Sequence, residues 1–314
     1  MNDVKIGIES GIWDHSSLDC FRDCPQYYDF RVNHGLIKSG TRMTSADFGT
    51  WIHKALENYY KEGMTDQSIM ESMEIFKKGF IDDPTDNKRT MMKGLELLGK
   101  YFSRYRHEPF NVIATEIGGA IEIDHYMYSF RIDLTTEWLN PKGVYGIDTK
   151  TTSSMGRIIS KPNNQVTGYD HILKLHYENV LGFIINAIGV YQSDEEMDKN
   201  APKVKSVKSG KMIYQKKERE VLLRLPTSRT PIETKRWIDS VIHTIHMIEK
   251  CHESGVWPDY TKFCTAYASK CQFLDLCQAQ DRYEMIQPLI DAGVYEVKYW
   301  MPYSIVSMDE EEAA

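Results

Sequence analysis

Apolar side chains recur at helical spacing through the first third of the chain. In "SADFGTWIHKALENYYKEG", Trp51, Ile52, Ala55, Leu56 and Tyr59 share one stripe, and Gly63 marks its end. "SSLDCFRDCPQYYDFRVNHGL" places Leu18, Phe21, Tyr28 and Val32 at apolar positions behind a Ser16 or Ser17 cap, which predicts one capped helix. Residues 65 to about 107 predict two or three more helices. The period then shortens to two. "NVIATEIGGAIEI", "YMYSFRIDLTTEWL" and "GVYGIDTKT" predict strands that meet at turns such as "NPKG" at 140–143. "NNQVTGYDHILKLHYENV" returns to helix and "GFIINAIGVY" to strand. Residues 194–211 predict an exposed loop running into a hairpin. "TPIETKRWIDSVIHTIHMIEKCHES" predicts a long amphipathic helix with Pro231 in its first turn, and "MDEEEAA" a frayed acidic tail.

No internal repeat or low-complexity linker divides the chain. The order of elements predicts one α/β domain over 1–314. Its core spans about 108–192, between an N-terminal helical part at 14–107 and a C-terminal helix and cysteine part at 230–280, with an acidic tail at 308–314.

Composition adds little to this picture: 41% hydrophobic and 26% charged residues are ordinary for a globular protein. The net charge of −7 announces no nucleic-acid partner, although a cleft can be locally basic on an acidic protein. "MNDVKIGIESGIW" lacks the basic and apolar regions of a signal peptide, and "VLGFIINAIGVY" is too short to span a bilayer. A cytoplasmic protein is expected. Disulfides are therefore not expected from the six cysteines. Cys264, Cys271 and Cys277 fall within fourteen residues, which makes metal or cluster ligation a live reading.

The chemistry sits in the third strand. Asp148 and Lys150 are two positions apart beside Val144 and Ile147, and burying a charge costs several kcal/mol unless it is paired or coordinated. A type I turn at "NPKG" places Asp133 across from Lys150, with Asp148 one diagonal step away. A two-residue loop at 140–141 places Asp133 opposite Asp148 instead. Either register gathers the three side chains on one face, and a one-residue bulge would separate them. Two adjoining carboxylates repel unless a cation lies between them, and hard oxygen ligands favour magnesium or manganese. Such a group suits phosphodiester hydrolysis, with the lysine orienting or deprotonating the attacking water. The bland alternative is a solvated Asp–Lys pair.

Five ordered pieces of the chain resemble the PD-(D/E)XK nuclease superfamily in its RecB-like branch. That branch includes the nuclease domains of RecB and AddB and the iron–sulfur exonucleases associated with CRISPR systems. The pieces are "SSLDCFRDCPQYYDF", "FGTWIHKALENYY", the acidic motifs "FRIDL" and "GIDTKT", "QVTGY", and "CTAYASKCQFLDLC". The resemblance implies a restriction-endonuclease-like mixed β-sheet core flanked by helices. It also implies that His53, Asp133 and Asp148, with the backbone carbonyl of Thr149, hold Mg2+ or Mn2+, and that Lys150 positions the water. Gln165 and Tyr169, one helical turn apart, would face the scissile phosphate or Lys150. Glu116 stands where these nucleases often carry a further acid, or is a solvent-facing residue of an edge strand.

The family's iron–sulfur members draw three cysteines from the C-terminal end and one from the first helix. That pattern implies a [4Fe–4S] cluster on Cys24, Cys264, Cys271 and Cys277, with Cys20 as the alternative to Cys24, joining the two helical ends of the chain. The six residues between Cys264 and Cys271 exceed the family's usual spacing and keep zinc, or uncoordinated thiols, open. Cys251 is expected to be a small buried residue.

In "KVKSVKSGKMIYQKKER", Lys205, Lys208 and Lys211 with their basic neighbours could track a DNA backbone, and Tyr214 or Trp257 could stack on bases. A solvated hairpin is the plain alternative. The expected function is a metal-dependent deoxyribonuclease, an exonuclease on single-stranded or end-bearing DNA. It would serve recombination, repair or replication, in a phage or mobile element or in CRISPR adaptation, with a helicase, recombinase or single-strand-binding partner. The rival is a non-catalytic DNA-binding or assembly subunit that keeps the fold as a scaffold.

Overall fold

The computed structural model describes residues 7–40, 43–205, 212–268 and 270–299. The chain opens with β1 (Ile12–Trp13), α1 (His15–Asp23), α2 (Pro25–Tyr28) and β2 (Leu36–Lys38). The helices α3 (Thr44–Lys61), α4 (Asp66–Gly79) and α5 (Met91–Arg104) come after them. Next come β3 (Phe110–Ile123), β4 (Tyr126–Leu139), β5 (Lys142–Thr152), α6 (Asn164–His176) and β6 (Val180–Gly189). Four short strands form a ribbon: β7 (Glu195–Asp198), β8 (Val204–Lys205), β9 (Met212–Ile213) and β10 (Gln215–Glu218). Then β11 (Leu222–Thr227), α7 (Pro231–Ser254), α8 (Leu274–Cys277), α9 (Ile286–Asp291) and β12 (Tyr295–Val297) complete the described chain.

The helix predicted across 16–36 is broken. Pro25 has no N–H to donate and forces Cys24 into an extended backbone, so α1 stops at Asp23 and α2 restarts at Pro25. The cap is Asp14 rather than a serine. Its side chain accepts the Ser17 N–H at 2.7 Å, and Ser17 reciprocates from the third helical position. The region 65–107 holds two helices, α4 and α5. Within 194–211, where a loop running into a hairpin is expected, Glu195–Asp198 and Val204–Lys205 are strands, β7 against β10 and β8 against β9, and 206–211 lie outside the described residues.

The central sheet runs β1-β4-β5-β6-β11, with β3 on the outer side of β4. It is mixed: β5–β6 and β1–β4 are parallel and the other pairs antiparallel. Alternation along β6 shows how it is covered. Phe183 and Ile185 pack with α1, α6 and α7, whereas Ile184 and Ile188 pack with α3, α4 and α5. On β5, Gly146 lets the first layer come close, since a Cβ there would lie 2.2 Å from the Phe183 ring and 2.7 Å from Leu173 of α6.

Two features of β4 open a gap in this sheet. Beside its C-terminal half runs β5, from Leu134↔Ile147 to Leu139↔Lys142, so Asn140 and Pro141 form a two-residue loop. Beside its N-terminal half, β1 takes the place of β5. The sheet therefore opens in a notch at Asp133, where the β4–β5 ladder stops. There the pleat also switches: Ile132 packs with the α6 layer and Leu134 with the α3 layer, although residues two apart normally share a face.

A smaller apolar cluster joins the chain ends. Phe30, Leu36, Phe273, Leu276 and Tyr295 are buried together, with Cys271 and Cys277 against them, and β2 pairs with β12.

Candidate active site

The β4–β5 register, continued past Leu134↔Ile147, sets Asp133 opposite Asp148, the two-residue-loop alternative. The β3–β4 register sets Glu116 opposite Asp133 from the other side. Three carboxylates thus stand in a row across adjacent strands at the notch. From above, α3 lowers His53, whose Nδ1 lies 3.2 Å from Asp133 Oδ2. That same oxygen accepts the Thr149 N–H at 2.7 Å, replacing the ladder bond lost where β4 and β5 part.

His53, Glu116 and Asp133 form the one group of three described His, Cys, Asp or Glu side chains placed to hold a metal ion, their ligand atoms lying within 4.8 Å of one another. Asp148 is not part of this trio. It is 2% exposed, and both its carboxylate oxygens lie 3.0 Å from Lys150 Nζ. Gln165 Nε2 donates to the Tyr169 hydroxyl at 3.1 Å on α6, the helix that covers the Asp148 and Lys150 side of β5.

The electrostatics are those of crowded charges. Burial and the Asp133 carboxylate push Glu116 up to about 7, against the pull of Arg131, whose Nε lies 2.8 Å from Glu116 Oε2. Burial also raises Asp148, with Asp133 adding to the rise and Lys150 opposing it. Burial would raise Asp133 too, but His53, Lys150 and the Thr149 N–H outweigh it and hold this carboxylate low. Burial would lower His53, yet Asp133 and Asp148 bring its pKa above the ordinary value. A divalent cation among these oxygens would offset the burial and the carboxylate repulsion that raise Glu116, so the donor set fits a hard metal ion.

Glu116 also has a left-handed backbone, φ 50°, in the middle of a strand. This conformation costs a side-chain-bearing residue about 1–3 kcal/mol. Glu116→Gly, which removes both the strain and a crowded carboxylate, is expected to raise the stability of the metal-free protein by about 1 kcal/mol in urea unfolding. An unchanged or lower midpoint would contradict this.

The cysteines assemble in part. Cys24 sits between α1 and α2, Cys264 in the 3-10 segment Thr261–Ala268, and Cys277 at the end of α8. The Cys271 N–H donates to the Cys264 carbonyl at 2.8 Å. Burial raises the Cys271 thiol, and Cys264 and Cys24 raise it further. Burial and Asp259 push Cys277 up to about 12, with Cys271 and Cys24 contributing. The four sulfurs are thus one electrostatic neighbourhood, without the close grouping of the acidic trio. Cys20 and Cys251, on α1 and α7, are half-buried against the core, and desolvation pushes the Cys20 thiol up.

Of the residues considered for DNA contact, Lys205 ends β8, and Lys208 and Lys211 lie outside the described residues. Trp257 stacks on the buried Tyr28 ring, so that face is used within the protein, and Tyr214 carries the Lys203 ammonium at 4.7 Å. Periodicity and spacing did not single out Arg131, Asn186 or His15. Arg131 pairs with Glu116. His15, in the first turn of α1, lies near enough to Lys150 for that charge to add to burial in lowering its pKa. Asn186 had a legible signal, a lone amide in the apolar run "FIINAIG".

No helix among the described residues is long and apolar enough to cross a membrane. The family model of the PD-(D/E)XK nuclease superfamily matches residues 13–278. No curated protein sequence matches the chain. Among solved structures, the chain is similar to a provisionally named exonuclease of Eubacterium rectale, at 14% identity and a TM-score of 0.44, over 85% of this chain and 87% of that one. It is also similar to the protein SSO0001, at 11% identity and a TM-score of 0.25, over 62% and 74% of the two chains. With its mixed sheet, flanking helices and match across both acidic strands, this chain belongs to the PD-(D/E)XK nuclease superfamily.

Proposed function

We propose that the protein is a divalent-metal-dependent deoxyribonuclease of the RecB-like branch, acting as an exonuclease on single-stranded or end-bearing DNA in recombination, repair or replication. The observation that carries this reading is the convergence at one notch of Glu116, Asp133 and His53 with the Asp148–Lys150 pair. In this reading His53, Glu116 and Asp133 would hold Mg2+ or Mn2+, with Asp148 and the Thr149 carbonyl as further ligands. The bound cation supplies charge stabilisation at the phosphorus oxygens and an acidified water. Lys150 would orient the attacking water as the ammonium or, as the free amine, take its proton. Gln165 and Tyr169 present hydrogen-bonding groups from α6 to the DNA strand. Burial of Asp148 keeps solvent off the carboxylate that holds the Lys150 ammonium in place.

Digestion of 5′- and 3′-end-labelled single-stranded and duplex DNA tests the reading. Products should accumulate from an end, with Mg2+ or Mn2+ and not with EDTA. Metal-independent binding without cleavage would favour the scaffold reading instead.

The ligands must shed protons to bind a cation. Glu116, held at about 7, is protonated below that pH, and the raised His53 is then cationic. Mn2+ affinity measured by calorimetry should therefore rise steeply from about pH 6 to about pH 8, with proton release on binding. A flat profile would remove Glu116 and His53 from the ligand set.

The cysteines are assigned, in the same proposal, to a [4Fe–4S] cluster on Cys24, Cys264, Cys271 and Cys277, with zinc as the alternative. Support comes from Cys271 and Cys277, whose thiol pKa values burial raises and the neighbouring cysteines raise further, a rise that a bound metal would reverse. Protein prepared without oxygen should show visible charge-transfer absorbance that Cys277→Ser removes. A colourless protein containing zinc would select the alternative.

A further inference from the structure

The strands that carry the candidate site also carry a buried polar row on their α3–α5 side. Thr149, Asn186 and Arg224 are neighbours in register across β5, β6 and β11. Asn186 is 2% exposed, and its Nδ2 donates to Thr149 Oγ1 at 3.1 Å and to the Tyr101 hydroxyl at 3.0 Å. Arg224 Nε donates to Asn186 Oδ1 at 3.4 Å, and its guanidinium continues to Glu108. At the other end the Thr149 N–H donates to Asp133 Oδ2, which also faces His53. Hydrogen bonds and one peptide thus connect the sheet's far edge to the acidic notch.

Packing alone does not call for this row, because apolar side chains of similar volume are often as stable in such an interior. Its placement has a mechanical consequence. The β4–β5 ladder stops at Leu134 and Ile147. Beyond it the Thr149 N–H turns to the Asp133 carboxylate, while the β5–β6 ladder runs on to Thr152↔Gly189, so the peptide is set from the β6 side, where Asn186 also holds the Thr149 side chain.

We propose that Asn186 is a positioning residue: through the Thr149 hydroxyl it fixes the peptide that orients Asp133, and so the geometry in which His53, Glu116 and Asp133 take a divalent cation. The proposal rests on reading that trio as a metal site. Partners one step removed from a ligand typically change metal affinity about 10–100-fold.

Asn186→Leu keeps the branching at Cγ and the number of side-chain heavy atoms and removes the link. Tyr101 retains its bonds to Tyr60 and Arg224, and Arg224 retains Glu108, so the change falls on Thr149. Thr149→Val makes the same cut from the other side. Calorimetric titration of metal-free protein with Mn2+ should show affinity weakened about 10–100-fold in both variants, with thermal unfolding close to wild type and cleavage recovering at excess Mn2+. Unchanged Mn2+ affinity in folded Asn186→Leu overturns the proposal, as does lost cleavage that excess Mn2+ fails to restore. Should Asn186→Leu not fold, the titration of Thr149→Val decides by the same criteria. A wild-type protein that binds no Mn2+ overturns the metal-site reading itself, and this outcome is visible before any variant is made.

Discussion

Asp148→Asn should lower metal-dependent DNA cleavage by about 10³-fold, the scale on which loss of one preorganised electrostatic group is felt. The substitution keeps shape and removes charge at a position 2% exposed to solvent. Two consequences separate it from simple damage. Burial and the neighbouring Asp133 already raise the Asp148 pKa, so its charge is a cost to the metal-free protein, and the variant should unfold at the same temperature or higher. Lys150, about one third exposed, loses its carboxylate but remains hydrated. The expected signature is therefore intact folding, intact DNA binding and lost turnover, measured with end-labelled substrate in Mg2+ and Mn2+. Equal activity of variant and wild type would detach Asp148 from the chemistry. A wild type as inactive as the variant, with DNA binding retained, would mark a scaffold.

The largest stability effect is expected far from the notch. Arg224 meets Glu108 in a paired contact, Nη2 to Oε1 at 2.6 Å and Nη1 to Oε2 at 2.8 Å, with the Glu108 side chain only 2% exposed. Tyr60 and Tyr101 accept further hydrogen bonds from Nη2, and the guanidinium stacks 3.6 Å from the Tyr105 ring centre. Burial opposes the Arg224 charge, but Glu108 and the tyrosines outweigh it and hold the guanidinium's pKa above its ordinary value. Removing one partner strands the other. Arg224→Met should cost about 3–5 kcal/mol in denaturant unfolding, leaving Glu108 buried without its counter-charge. The double variant Arg224→Met/Glu108→Leu should recover most of that loss, because two apolar side chains replace two ions that no longer need pairing. A double variant as unstable as the single one would show that the contact stabilises the fold outright.

How much of this could be read in advance differs by feature. The stripe Ile52, Ala55, Leu56 and Tyr59 made α3 legible, and with it the one-sidedness that turns His53 toward the sheet. Alternation and the "NPKG" turn made the β4–β5 hairpin legible, and the order of Asp133, Asp148 and Lys150 suggested the family whose model spans 13–278. The break at Pro25 was also legible, since the covalent ring carries that information locally, and a single helix was nevertheless the expectation. Which register the hairpin took was not decided, because both turns fit the same four residues. Nor did any local signal place β1 beside β4, pair Glu108 with Arg224 across 116 residues, or reverse the pleat at Asp133.

The sequence by itself determined which residue types lie on which strand or helix, because side-chain periodicity and turn chemistry are local properties of the chain. Only the tertiary structure decided that β5 parts from β4 just where Glu116, Asp133 and His53 converge, and that Asp148 turns to Lys150. Those outcomes depend on how distant layers compete for the same space and on which charges they bring together, and neither is encoded in any short stretch.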